Sequence, residues 1–335
     1  MPITAVHKDP EALTMTVVAD FTASLTRLWD AYSDPRQIEK FWGPPSYPAT
    51  FTRHDMCVGG RSEYVMSPQA FDGAGSDGEV SRGYWEFIDV KAPHSFEVRD
   101  GFALPDGTPN AEMPSMRMVF TFEETPDGSR LTTTTYFNAI AELEQLIEMG
   151  MEDGMREAMG QIDAVLADLR SFAADLPAAA QILSDTQVRV ARVIRGSVQQ
   201  VWDAHHSADL LPKWLLGPDG WSMTTCEVGA AVGETYRWIW TQDGTDVSFG
   251  TAGEVLEMNP PFRSVTTESM AGDGIPEGAP GTTNEMTLTP VDGGTLLSVL
   301  ITYPNAEIRD IVLGTGMVGG MEASYARLER EVLAG

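Results

Sequence analysis

Gly150-Met151-Glu152-Asp153-Gly154-Met155 has an echo in Gly316-Met317-Val318-Gly319-Gly320-Met321. Each hexapeptide falls near the end of its half of the chain, inside a pattern of helical spacing. Glycine weakens a helix interior by roughly 1 kcal/mol relative to alanine. Two glycines in each of two helices call for a physical reason, and the doublet itself points to a duplication.

The duplication extends outward from there. Leu28-Trp29-Asp30-Ala31 matches Val201-Trp202-Asp203-Ala204, an offset of 173 (202 − 29). Lys40-Phe41-Trp42-Gly43-Pro44 matches Lys213-Trp214-Leu215-Leu216-Gly217-Pro218 with one residue inserted. Val58-Gly59-Gly60 meets Val232-Gly233-Glu234, Ala92-Pro93 meets Pro260-Pro261, and Asp127-Gly128-Ser129-Arg130-Leu131 meets Asp292-Gly293-Gly294-Thr295-Leu296. Anchors in one order with small drifts describe two homologous domains. Their expected limits are 1–172 and 186–335, joined by a linker over 173–185. Ala-rich Phe172–Ala180 ends the first domain's helix, and Pro177 enforces the stop.

Length and composition agree. A chain of 335 residues suits about two domains of ordinary size. The net charge of −27 argues against a nucleic-acid partner, because phosphate binding needs clustered Lys and Arg. It reads as a solvated acidic surface, or as one that recruits a basic protein. The two cysteines, Cys57 and Cys226, lack CxxC neighbours and read as free thiols of a reducing cytosol. The first residues hold no apolar run of signal length, and nothing approaches about 18 uninterrupted apolar residues. The expectation is a cytoplasmic protein without a membrane partner.

Within each unit, period-two alternation makes strands of Met15–Phe21 and Val188–Ile194. Helical spacing follows in Leu25, Leu28, Trp29 and Tyr32, and in Val198, Val201, Trp202 and His205. Ser24 and Ser197 are placed as N-caps, and Ser197 with Gln200 spells a capping box. Asp34-Pro35 opens a second short helix. Strand-like segments then run over 50–55, 61–66, 83–90, 94–99, 115–123 and 130–137. Their echoes are 223–228, 235–240, 250–258, 263–268, 284–289 and 295–302. One long helix closes each unit; the first carries Leu143, Leu146, Ile147, Met151, Met155, Ala158, Ile162, Val165 and Leu169 on one stripe. The fold class is α+β, with an antiparallel sheet and a long packing helix in each half.

This order, carried by Leu28-Trp29-Asp30-Ala31, Phe41-Trp42-Gly43-Pro44, Val58-Gly59-Gly60 and the Gly150–Met155 hexapeptide, resembles the START-like superfamily, also called SRPBCC or Bet v 1-like. The nearest branch is that of the activators of the Hsp90 ATPase and of bacterial self-resistance proteins that capture reactive natural products. The resemblance spans nearly all of residues 12–170 and is looser in the second half, where Leu215-Leu216 and Glu234 depart from it. Members of this branch are usually single-domain, so the tandem is itself a departure. The resemblance implies two tandem helix-grip domains, each a curved antiparallel sheet around a C-terminal helix, with a cavity between them.

Gly150 and Gly154 share one helix face. Their bareness serves either a close approach of the sheet with methionine as filler, or a cavity wall that bends around an apolar guest with Met151 and Met155 as soft flanks. Tyr236, Trp238 and Trp240 share one strand face by period two, and Tyr64 and Met66 are the matching positions in the first unit. With Trp42, Trp85, Phe120, Met286, Gly316, Met317, Gly320 and Met321 they form the candidate ligand-binding set; Phe87 and Phe122 are further possibilities for the same wall.

Other motifs lead nowhere. Gly314-Thr315-Gly316-Met317-Val318-Gly319 spells GxGxxG, yet the chain ends sixteen residues beyond it (335 − 319), too soon for a dinucleotide fold. His205 and His206 point about 100° apart on a helix and have no Cys or His nearby in sequence, so no metal is expected. His54 and His94 read as isolated loop residues. Glu86 and Glu254 match in position and are weak candidates for a general acid or base if buried; solvent-facing strand positions are their commoner role. Arg61, Arg82, Arg117 and Arg237 could orient an anionic guest or form surface ion pairs. No cofactor is implied.

Three functions compete. The preferred one is binding of a small hydrophobic or aromatic molecule for sequestration, transport or self-protection. The second is a cyclase, hydratase or hydrolase in the same cavity, for which no catalytic motif is recognisable. The third is a protein partner docking on an Hsp90-type chaperone.

Overall fold

Met15, Val17, Ala19 and Phe21 are buried while the residues between them are not, so the first alternating segment forms a strand with one face on a core. It is the second strand of a computed structural model that describes residues 3–67, 80–168, 176–217, 220–272 and 281–333. Leu169, the Phe172–Asp175 stretch and Pro218, singled out in the sequence, lie outside the described residues. The chain divides into two compact units, Met1–Phe172 and Ala173–Gly335.

In the first unit β1 (Ile3–Asp9) and β2 (Thr14–Phe21) lead to α1 (Leu25–Ser33) and α2 (Pro35–Ile38). Then come β3 (Ala49–His54), β4 (Arg61–Met66), β5 (Ser81–Lys91), β6 (Ser95–Phe102), β7 (Ser115–Thr125) and β8 (Gly128–Tyr136), closed by α3 (Ile140–Glu148) and α4 (Met151–Ala167). The eight strands form one antiparallel sheet in the order β1-β2-β8-β7-β6-β5-β4-β3. The second unit repeats this with β9 (Ala179–Ile182), β10 (Gln187–Ile194), α5 (Val198–His206), α6 (Leu211–Trp214), β11 (Trp221–Glu227), β12 (Thr235–Gln242), β13 (Ser248–Asn259), β14 (Arg263–Gly272), β15 (Thr282–Val291), β16 (Gly294–Thr302), α7 (Ala306–Gly314) and α8 (Met317–Leu328). Its sheet runs β11-β12-β13-β14-β15-β16-β10-β9, the same order. Both units are tandem helix-grip domains of the α+β class.

Local chemistry sets the helix starts. Ser24 Oγ accepts from the Arg27 N–H at 3.2 Å. Ser197 and Gln200 form the reciprocal capping box. Asp34 caps α2, whose first residue is Pro35. Trp29 and Tyr32 on α1 reach the sheet, where Trp29 meets Phe122 edge-on at 5.3 Å and Phe96 stacks on Phe120 at 4.4 Å. These rings fill the first core. The second is mostly aliphatic, built on Val188, Val190, Ile194, Val201, Leu288 and Leu297 around Trp202 and Trp214.

The structure departs from the sequence reading in three places. An edge strand precedes the first expected strand of each unit, and β9 occupies part of the segment read as a linker. Ala179–Ile182 pair with Val188–Ala191, so the stretch is held by a neighbouring strand that pattern alone does not reveal. His54 is a buried end of β3, with Nδ1 2.8 Å from Ser62 Oγ and Nε2 2.9 Å from the Tyr32 carbonyl. His94 does lie in a turn.

The third departure concerns the closing helix, which is not single. Gly150 adopts φ +86°, left-handed backbone that favours glycine, and Gly316 does the same at φ +82°. The Gly150 N–H donates to the Ile147 carbonyl at 3.0 Å and ends α3. The Gly150 carbonyl then accepts the Gly154 N–H at 2.9 Å and starts α4. Gly316 repeats both bonds, to Leu313 and from Gly320. The first glycine of each hexapeptide is therefore a joint. The second is ordinary helix, and a methyl group added at Gly154 or Gly320 would meet nothing within 4 Å. Close approach of the sheet is thus not the reason for those glycines.

Two substitutions separate these roles. Gly150→Ala forces a side chain into the left-handed region and should destabilise by about 1–2 kcal/mol. Gly154→Ala replaces a helical glycine in open space and should stabilise by up to about 1 kcal/mol. Denaturant titration of the full chain reads both; shifts of the same sign would contradict the assignment.

Candidate functional site

The stripe of α4 that faces the sheet is Met151, Gly154, Met155, Ala158, Met159 and Ile162, spaced at three and four residues as one helix face requires. Two of its members carry little or no side chain. Between this face and the inner surface of the sheet lies a cavity of about 370 Å³, within the size range of small-molecule sites. The opposite wall comes from Trp42, Tyr64, Met66, Met116, Met118 and Phe120. Seven methionines border the space: Met66, Met116, Met118, Met149, Met151, Met155 and Met159. Their unbranched thioethers adapt to a guest's outline.

The aromatic wall is ordered by edge contacts. Trp42 meets Trp85 at 4.6 Å and Tyr64 at 6.0 Å, both nearly perpendicular. Tyr64 lies across β5 only because residue 83 is glycine; a Cβ there would fall 2.3 Å from the ring. That reach brings the Tyr64 hydroxyl to Asp100 on β6, where it donates to Oδ1 at 3.2 Å. The Trp85 indole N–H donates to the same oxygen at 2.8 Å. Among the described residues no hydrogen bond reaches Oδ2.

Asp100 borders the cavity and, as a whole residue, is half-buried. The protein packed around its carboxyl removes enough water to push its pKa up to about 7, although Trp85 and Tyr64 each favour the charged form. Burial raises the Tyr64 hydroxyl as well, reinforced by the negative charge on Asp100. Among the described residues two other wall atoms make no hydrogen bond of good geometry. Thr133 Oγ1 is buried without a hydrogen bond. The Trp42 Nε1 has none in good geometry, yet it lies near enough to the Tyr64 hydroxyl to favour that group's ionised form.

The structure thus gathers Trp42, Tyr64, Met66, Phe120, Gly150, Met151, Gly154 and Met155 around one space. Trp85 stands behind that wall, fully buried, and acts on the site through its bond to Asp100. Phe87 and Phe122 are buried core. The second-unit candidates are placed by packing. The Tyr236 hydroxyl donates to the Thr267 carbonyl at 2.9 Å, and the Trp240 indole to the Leu215 carbonyl at 2.8 Å. Trp238, Met286, Met317 and Met321 are half-buried against the second core, and Met317 receives a long contact from the Tyr303 hydroxyl. Gly316 is the joint and Gly320 faces open space.

The acid–base candidates stand elsewhere. Glu86 pairs with Arg61 and Arg99 on the other face of the sheet, and Glu254 is exposed. Neither carboxylate is enclosed as general acid–base work in an apolar site would need. Arg61 is further held by Glu63 and the Tyr84 ring, and Arg117 by Glu97 and the Tyr136 ring. Arg237 is exposed, and Arg82 alone of the four borders the cavity. The Nδ1–H groups of His205 and His206 donate to the Val201 and Trp202 carbonyls, and burial lowers His205 to about 4. Cys57 and Cys226 are free thiols. Among the described residues no three His, Cys, Asp or Glu side chains gather as a metal site would need, and no helix is long and apolar enough to cross a membrane.

Asp100, Met116, Met118, Thr133, Met149 and Met159 escaped the sequence reading. Asp100 had a signal. Phe96, Val98, Asp100 and Phe102 alternate, so an acid stands where period two demands an inward residue. Ending that strand at Arg99, three residues early and just before Asp100, hid it.

A family model described as Activator of Hsp90 ATPase homolog 1-like protein matches residues 22–167 and 195–332, once in each unit. Among solved structures, protein Ms6760 from Mycobacterium smegmatis is 44% identical, covering 50% of this chain and 98% of its own, at a TM-score of 0.45. A protein from Arthrobacter aurescens is 41% identical over 49% of this chain and 92% of its own, also at 0.45. DynU16, a protein in the dynemicin biosynthetic locus, is 14% identical over 96% of this chain and 99% of its own, at 0.33. No curated protein matches the chain.

The raised Asp100 carboxyl has a stability signature. The folded chain holds its proton up to about 7 while an unfolded aspartate releases it near 3.8, so folding stability falls as pH rises between those values and levels off above them. Asp100→Asn keeps the acceptor for Trp85 and removes the charge. The variant should gain on the wild type progressively from acid to neutral pH, by on the order of 1 kcal/mol at the plateau. Melting curves across that range test it; a constant difference would contradict the raised carboxyl.

Proposed function

This chain belongs to the family of Activator of Hsp90 ATPase homolog 1-like proteins, and we propose that its first unit binds a small, largely apolar, aromatic molecule in the cavity between sheet and α4. One observation carries this reading: a helix face bared at Gly154 overlooks a cavity of about 370 Å³ walled by aromatic rings and methionines. Apolar walls with a few placed polar groups are what such sites require. The rings offer flat surfaces for stacking, and the methionines adjust around the rim. Sequestration, transport and self-protection are all uses of a site of this kind. The second unit shares the sheet order but places its aromatic residues differently, so the proposal assigns binding to the first unit.

N-phenyl-1-naphthylamine, an apolar aromatic dye that brightens out of water, serves as the probe. Its emission should rise with the wild-type chain, and Trp42 emission should fall in parallel. Gly154→Phe places a ring into the cavity from a position where its Cβ meets nothing. That variant should keep its melting temperature and weaken dye binding by about tenfold or more. Equal binding by the folded variant would refute the cavity as the site.

A further inference from the structure

The acid in the first cavity has a counterpart. Asp100 opposes Met116 across β6 and β7, and Glu268 opposes Thr282 across β14 and β15. The two acids are 168 residues apart (268 − 100), the spacing of the cis prolines that turn into β6 and β14 (261 − 93). The surroundings have changed between the units. Trp85 faces Asp100 across the strands, and carrying that position forward by the same 168 residues reaches Gly253. The hydroxyl near Glu268 comes from Tyr236, 3.5 Å away, whose ring packs against Gly253. Burial raises Glu268 too, with Asn284 and Tyr236 opposing it. An inward acid with a tyrosine hydroxyl beside it thus recurs at one position of both sheets, although the residues that supply its setting differ.

An inward carboxyl is costly in an apolar wall unless something meets it. In the first unit the groups that face Asp100 are Tyr64 from β4, Trp85 from β5 and Met116 from β7, while Tyr84 of β5 lies on the other face of the sheet under Arg61. The α4 face across the cavity offers methionine, glycine and alanine. Arg61 and Arg99 are engaged with Glu86 beyond the sheet. Arg82 borders the cavity, but the influences on the Asp100 carboxyl are burial, Trp85 and Tyr64 alone. Both donors meet Oδ1, and among the described residues none meets Oδ2. Trp42 and Tyr64 line the same cavity as Asp100, and aromatic rings attract cations.

We propose that the guest of the first cavity carries a basic nitrogen, which donates to Asp100 Oδ2 while the aromatic body lies against Trp42, Phe120 and the methionines of α4. The assignment rests on the cavity reading and narrows it to aromatic amines that are cationic in water. Protonated nitrogen and carboxylate neutralise each other within the apolar wall, so neither charge is left buried alone. Binding of the cation then strengthens as the carboxyl ionises, and the Asp100 proton is released to solvent.

Three probes of one ring size test this with the full chain: the cation 9-aminoacridine, the neutral 9-anthracenemethanol and the anion 9-anthracenecarboxylate. At about pH 8 the cation should bind about tenfold more tightly than the alcohol and the anion more weakly than either. The ratio of cation to alcohol affinity should rise between about pH 6 and pH 8 as Asp100 ionises. Asp100→Asn should bring that ratio close to one and remove its pH dependence, and added salt identifies any cation held only by the acidic surface. A preference for the anion, or an unchanged ratio in Asp100→Asn, overturns the proposal while leaving the cavity intact. If none of the three probes binds, or if Gly154→Phe binds all three as the wild type does, the cavity reading itself fails.

Discussion

At Gly150 the chain leaves right-handed helix for one left-handed residue and then re-enters it, and the geometry of the first site follows from that joint. The break leaves no backbone group stranded, because the Gly150 N–H closes α3 and its carbonyl opens α4. Without it, α3 and α4 would continue in line, and the inward stripe of one would fix the inward stripe of the other. With it, α4 sets its own face toward the sheet and brings Gly154 and Ala158 over the inner wall. The hollow is not a sign of loose packing. A few residues away Phe96 and Phe120 stack, and Trp29 and Tyr32 wedge edge-on against Phe122. Dense core and open space sit side by side because the side chains that would fill the space are short.

The two units show what the skeleton demands and what it leaves free. Both have the same strand order, a serine-capped first helix followed by a second short one, a left-handed glycine in the closing helix and an inward acid on the strand after the cis proline. Filling differs. The first core is aromatic, and its Tyr64 lies flat over Gly83 to reach Asp100. The second is aliphatic, and the Trp240 indole turns away to the Leu215 carbonyl. The glycine joint and the serine cap of the first helix are set by local geometry and survive duplication, whereas the Asp34 cap of α2 gives way to Leu210 before α6. Wall residues answer only to what they touch, so they drift.

Much of this was legible in the sequence for the same reason. Alternation at Met15–Phe21, the Ser197–Gln200 box and Asp34-Pro35 each encode an element through neighbours within four residues, and the repeat places them twice. Glycine bareness over the cavity was legible at Gly154. What was hidden depends on long-range pairing. Ala179–Ile182 is a strand because β10 offers it a free edge, not because its own pattern announces one. The joint at Gly150 looks like any helical glycine until its φ is known. Glu86 and Glu254 drew notice as carboxylates in strands, yet alternation counted one residue over puts the enclosed acid on β6 and leaves Glu86 among arginines.

Asp100 ties these threads together, because stability by itself favours its removal. An apolar residue at that point would seal the wall, free Tyr64 from crossing Gly83 and add burial to a sheet already rich in rings. Instead the chain keeps a glycine so that a tyrosine can reach, and a tryptophan N–H so that one oxygen is held still. Both donors converge on Oδ1, which fixes the direction of Oδ2 without using it. A carboxyl included only to satisfy buried hydroxyl and indole groups would not line the cavity with one oxygen that no described residue engages. The same position in the second unit holds Glu268 with a tyrosine drawn from another register, so the acid persists where its supports do not. Features that cost stability and outlast their setting are expected at functional sites. On that ground the unengaged oxygen, more than the hollow, gives the site its chemical direction.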